Sequence, residues 1–178
     1  MASLIDLLID DLNNEDTGYN KLLDLSNDKT SAIVKGDVDE LQKIFLQEQK
    51  LIEELETVEQ KRQEDVKEIC SILRLPYEQI RVEHIVQILE KKPKEHDALE
   101  EVYLRLKRTL NQLTTVNDNN KLLLKESMDM IQFELDLAKN SVMDPQTSNY
   151  GRTAYEEQGI TGAVSYTHLR AHETELHL

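Results

Sequence analysis

The chain has 178 residues, with 35 acidic and 21 basic side chains and a formal charge of −14. Five glycines, three prolines, 4% aromatics and no Trp leave little material for turns, a sandwich core or an aromatic ligand cage. A hydrophobic fraction of 39% beside 31% charged residues fits long amphipathic helices that each bury a narrow stripe. The negative charge disfavours nucleic acid and anionic lipid surfaces and favours protein partners.

The N-terminal run MASLIDLLIDDLNNED has no basic region and carries acids inside its apolar stretch, so it does not read as a signal peptide. The expected compartment is the cytoplasm. A first helix is predicted over about residues 3–35. Ser3 is a good N-cap residue and Asp6 falls in the first turn. Its three–four stripe runs Ile5, Leu8, Leu12, Glu15, Tyr19, Leu22, Ser26, Lys29, Ile33, with polar breaks at Glu15, Ser26 and Lys29. Gly18 lies inside and weakens the helix by about 1 kcal/mol relative to Ala. Lys35-Gly36 ends it.

Asp37, with Glu40 three residues on, opens a second helix predicted over 38–75, stopped by Pro76. Its seam reads Leu41, Phe45, Glu48, Ile52, Leu55, Glu59, Arg62, Val66, Ile69, Leu73. The short link between the first two helices predicts an antiparallel hairpin. Residues 76–96 form a connector with a short apolar helical piece (Ile80, Val82, Ile85, Val86, Leu89) expected to cap one end of the bundle. Asp97 with Glu100 then announces a third helix, predicted over 97–140, with a seam from Leu99 through Leu113, Asn117, Asn120, Leu124 and Ile131 to Ala138. Residues 141–163 are polar and contain Gly, with Tyr150, Tyr155 and Ile160 as large apolar groups, and read as a flexible segment. VSYTHLRAHET, Val164 to Thr174, resembles the translation of a sequencing-adapter end. Residues 164–178 are therefore read as a non-native tail, with the true C-terminus missing.

The predicted fold is all-α: an elongated antiparallel three-helix coiled-coil bundle with a short helical connector and a mobile tail. Without the tail, His84 and His96 are the remaining histidines, and neither belongs to a Glu-x-x-His or HExxH pattern. Cys70 is the one cysteine, which excludes an intrachain disulfide and reads as a small hydrophobe beside the seam. No catalytic, cofactor or metal residues are assigned, and the chain is expected not to be an enzyme. Glu48, Glu59, Arg62, Asn117 and Asn120 interrupt the seams and are read as setting register; the competing reading is a polar, open stretch for a partner helix.

Leu41, Glu48-Gln49, Leu51-Ile52, Leu55 and Glu59-x-x-Arg62 resemble the long second helix of the FlgN family of flagellar export chaperones. Tyr19, Leu22-Leu23, Lys29 and Ile33 are similar to its opening helix, and Asn117-x-x-Asn120-x-x-Leu123-Leu124-x-x-Ser127 to its third. Tyr150-Gly151 stands where members often carry Tyr-Gly. The resemblance covers roughly 4–162. It implies a cytoplasmic, non-catalytic chaperone that binds hook–filament junction proteins of the FlgK and FlgL type and delivers them to the export gate protein FlhA. It also implies client binding through the C-terminal part. Ile131, Leu135, Leu137 and Val142 are expected to supply an apolar face there, with Tyr150 and Tyr155 as anchors, Tyr150 for the gate. Rival readings are another type III secretion escort protein, or a generic coiled-coil scaffold with no catalytic activity.

Overall fold

The structure, a computed structural model, describes residues 3–77 and 80–142, with side chains through residue 140. The regular elements among them are α1 (Leu4–Lys35), α2 (Val38–Leu73), α3 (Val82–Ile88), a 3-10 turn (Leu89–Lys91) and α4 (Pro93–Val142). Local chemistry sets the first boundaries where the sequence places them. The Ser3 hydroxyl accepts the Asp6 N–H at 3.2 Å, and the Asp6 carboxylate accepts the Ser3 N–H at 2.7 Å. This reciprocal cap satisfies donors that the first turn would otherwise leave open. Gly36 closes α1 in the left-handed region, at φ 66°, which glycine adopts without strain. The Asp37 carboxylate then accepts the Glu40 N–H at 3.0 Å and starts α2.

Two boundaries differ from expectation. α2 ends at Leu73 rather than residue 75, because Arg74 turns left-handed at φ 56°. The Leu75 N–H bonds back to the Cys70 carbonyl at 2.9 Å, closing the end before Pro76. α4 starts at Pro93, not Asp97. Pro suits the first helical position, where its missing N–H costs nothing. The His96 N–H already reaches the Lys92 carbonyl at 2.9 Å, so Asp97 sits inside the helix. There its carboxylate lies 3.0 Å from the His96 ring.

α1 is the shared helix. It packs on α2 along one side and on α4 along the other, while α2 and α4 make no comparable approach of their backbones. Partner numbers give the directions. Residues 11, 15 and 29 of α1 meet 61, 62 and 48 of α2, so the hairpin is antiparallel. Along α1 and α4 the numbers rise together: Ser26 meets Asn117, 91 positions on, and Thr30 meets Asn120, 90 positions on. α4 therefore runs parallel to α1.

The apolar core fills the end away from the Gly36 turn. Leu8, Leu12, Tyr19 and Leu22 of α1 join Leu55, Ile69 and Cys70 of α2 and Leu99, Leu106 and Leu113 of α4. Each such buried aliphatic side chain contributes about 1.5–3 kcal/mol of transfer free energy. α3 adds Val82, Ile85 and Val86 to the same cluster and covers that end. Gly18 lets α2 come close: a Cβ there would stand 2.5 Å from Leu55 Cδ2.

Candidate functional site: a polar seam and the free end of α4

The constant offset between α1 and α4 has a consequence at the other end. Lys35, where α1 stops, lies level with about residue 125 of α4. α4 continues to Val142, so it extends past the hairpin by about 25 Å at 1.5 Å per residue. Helical propensity carries it outward through MDMIQFELDLAK, which lacks Gly and Pro. Its large apolar side chains there are in solvent. Met130 is 64% exposed, Ile131 57%, Phe133 63% and Leu137 54%. Scattered exposed aliphatics are ordinary, but their concentration on one projecting helix makes this end the candidate site.

Of the residues expected to form the client face, Ile131 and Leu135 share one side of the helix, four residues apart. Leu137 does not join them. It stands two residues after Leu135, about 200° round the helix, and faces another direction. Val142 is the last residue of α4 and its side chain lies outside the described set, as do Tyr150 and Tyr155. Phe133 and Met130 were missed. Both fall off the predicted seam, as do Leu135 and Leu137, and only their exposure on the projecting helix marks them.

Below the free end, the polar interruptions of the three stripes meet one another. The Arg62 guanidinium donates to Glu15 at 2.7 Å and lies 3.7 Å from Glu59, with the Arg62 and Glu15 side chains almost wholly buried. Glu48 pairs with Lys29 at 2.5 Å. Burial pushes the Glu48 carboxyl above the usual range, and the Lys29 ammonium opposes that shift. On the α4 side the Ser26 hydroxyl donates to Asn117 at 3.1 Å. The Asn120 amide donates to the Ser26 carbonyl at 2.7 Å, and its oxygen accepts from Thr30 at 2.6 Å. Apart from Arg62 with Glu59, which lie in the same helix, these are inter-helix contacts, so a slip by one turn would leave charged or amide groups buried and unmatched.

Further polar members of the seam have no counterpart in the sequence reading. Asp11 and Asp16 of α1 are buried beside Leu12 and Glu15. Lys61 reaches Asp11 at 2.5 Å, and Arg105 and Thr109 of α4 reach Asp16 at 2.8 Å each. Asp65 lies beside this group. Its own burial and then the Asp11 carboxylate raise its pKa, with Lys61 opposing. Carboxylates beside an apolar stripe read as solvated flanks in a sequence, and the ambiguity is resolved only by which helices come alongside.

The remaining candidates have local duties. His84 Nδ1 accepts the Arg81 N–H at 3.1 Å and caps α3. Cys70 is buried in the core, which raises its thiol pKa and keeps it protonated. Among the described residues no group of three or more His, Cys, Asp or Glu side chains is placed to hold a metal. Also among them, no helix is long and apolar enough to cross a membrane. The chemistry this arrangement offers is recognition: a rigid polar-keyed body carrying an apolar helical rod.

A family model described as FlgN protein matches residues 1–158, ending short of the 164–178 segment. No curated protein and no solved structure matches the chain.

Proposed function

The chain belongs to the FlgN family of flagellar export chaperones, and from that premise we propose that the free end of α4 is its client-binding surface. The observation that carries this reading is the concentration of exposed apolar side chains past the hairpin, where α1 and α2 have ended. The clients are hook–filament junction proteins of the FlgK and FlgL type. Their amphipathic helices would lay apolar stripes on α4 by helix-to-helix packing, covered until delivery. Tyr150 and Tyr155, close behind α4 in the sequence, serve as additional anchors, Tyr150 toward the export gate protein FlhA. The compartment is the cytoplasm, and the three long helices act as one elongated antiparallel bundle.

The polar seam belongs to the same reading. A body keyed by ion pairs and amides holds one register, so the projecting end keeps one direction and length. Charged-to-apolar exchanges in the seam would then alter stability, whereas changes on the free end would alter binding. The test is calorimetric titration of a purified FlgK-type client into the chain carrying Ile131→Asp with Leu135→Asp. Capture is expected to fall at least 100-fold with helicity unchanged by circular dichroism. Undiminished binding by that variant would overturn the reading. A chain ending at Lys139 is expected to bind more weakly than the full chain, because it lacks Val142 and both tyrosines.

A further inference from the structure

Successive residues of an α-helix are turned by about 100°. On the free end of α4 this rotation sorts the exposed apolar side chains into two stripes. Met128, Ile131 and Leu135 fall within about 60° of one another and continue, past half-buried Leu124, the seam that α1 covers lower down. Met130, Phe133 and Leu137 form a second stripe, also about 60° wide and centred about 160° from the first. Together the stripes span about 220° of the circumference, with Leu123 and Ala138 between them. Glu134 and Glu126 are the charged residues inside this arc. The opposite side is polar, with Lys121, Lys125, Asp129, Gln132, Asp136 and Lys139. It is closed on itself by a Gln132–Asp136 hydrogen bond of 2.9 Å.

The fold supplies a yardstick for how many neighbours such an arc needs. From Asp11 to Ser26, α1 packs against two helices at once. Its buried residues there, Gly18 at one edge and Asp16 at the other, span about 160°. One partner helix covers a stripe of roughly 100°. An arc wider than that which α1 buries against two neighbours is not covered by one.

We propose that the free end of α4 is bound by two amphipathic helices of one client, one on each stripe, so that α4 becomes the shared helix of a three-helix assembly. The first client helix lies end to end with α1, because its stripe is continuous with the α1–α4 interface. The second packs on Met130, Phe133 and Leu137. A basic side chain of the client falls between them, opposite Glu134. Residues 143–163 of this chain are a poorer occupant. Their large apolar groups are few and widely spaced, Met143, Tyr150, Tyr155 and Ile160, among Pro145, Gly151, Gly159 and Gly162.

The inference rests on the reading of this end as the client surface, and the experiment separates the two. A purified FlgK-type client is titrated into the full chain bearing Leu135→Asp, Phe133→Asp or, as a polar-face control, Gln132→Ala, with helicity and sedimentation recorded for each. Leu135→Asp and Phe133→Asp are each expected to weaken binding at least 10-fold, and Gln132→Ala less than 2-fold. A client lacking one of its two terminal helical regions is expected to lose sensitivity to one of the two Asp variants and retain it to the other. Loss with Leu135→Asp alone means a single client helix and overturns this proposal while leaving the client surface in place. No loss with either variant overturns both. A Phe133→Asp effect that vanishes when residues 143–178 are deleted assigns the second stripe to the chain's own tail. A dimer that Phe133→Asp dissociates assigns it to a second copy. Either result also overturns the proposal.

Discussion

Arg62 is held between two carboxylates in a buried setting, with Glu15 at 2.7 Å and Glu59 at 3.7 Å. Removing it leaves carboxylates without their cation, and breaking a buried pair on one side costs about 3–5 kcal/mol. Urea denaturation of Arg62→Leu is expected to show a loss of that size. Adding Glu15→Leu should recover much of it, because the buried charge goes with its partner; equal losses in the single and double variants would contradict the pairing. Asp65 makes a different case. Its pKa is raised, first by burial and then by Asp11, so the folded chain holds the Asp65 proton more tightly than the unfolded chain does. The stability from this group is complete below the ordinary aspartate range and is lost as pH rises through the raised value. Asp65→Asn should therefore raise Tm at pH 7 and give no gain near pH 3. A gain that is the same at both pH values would contradict the linkage.

At the scale of elements, Gly18 sets the closeness of α1 and α2. Ala there would gain about 1 kcal/mol of helix propensity, yet its methyl group would stand against buried Leu55. Overpacking of this kind costs about 1–3 kcal/mol, so Gly18→Ala is expected to destabilise by about 1 kcal/mol net in urea denaturation. A more stable variant would show that the approach is looser than described. Element ends were legible in the sequence wherever one local cap decided them, as at Ser3 with Asp6 and Asp37 with Glu40. They were not where two local signals competed. Pro93 and Asp97 both announce a helix start, and the one met first in the chain prevails because nothing between them resists helical geometry. At the end of α2, Arg74 takes the left-handed turn ahead of Pro76, a conformation that no residue-type preference points to. In the seam, Glu15, Glu48, Arg62, Asn117 and Asn120 could be picked out as breaks in a stripe. Asp11, Asp16 and Arg105 could not, since their burial depends on the rotation of α1 between two neighbours.

The whole molecule is a body and a projection. The body concentrates its apolar residues at the end under α3, with Asp11, Glu15 and Asp16 paired among them, and the half nearer the Gly36 turn is held by Lys29 with Glu48, Ser26 with Asn117 and Thr30 with Asn120. The projection is the surplus length of α4 over α1. That surplus was hidden in the sequence, because the α4 stripe continues unbroken past the level where α1 stops. Only the offset between the two helices, fixed by Ser26 with Asn117 and Thr30 with Asn120, shows where cover ends. Hydrogen–deuterium exchange of the full chain with and without a FlgK-type client reads the consequence directly. Slower exchange confined to residues from Leu122 to Val142 and the segment after them, with the amides of α1 and α2 unchanged, is the expected result. Protection gained instead at the hairpin turn around Val34 and Val38, or spread through the body with the end of α4 unaffected, would contradict a client surface on the free end of α4.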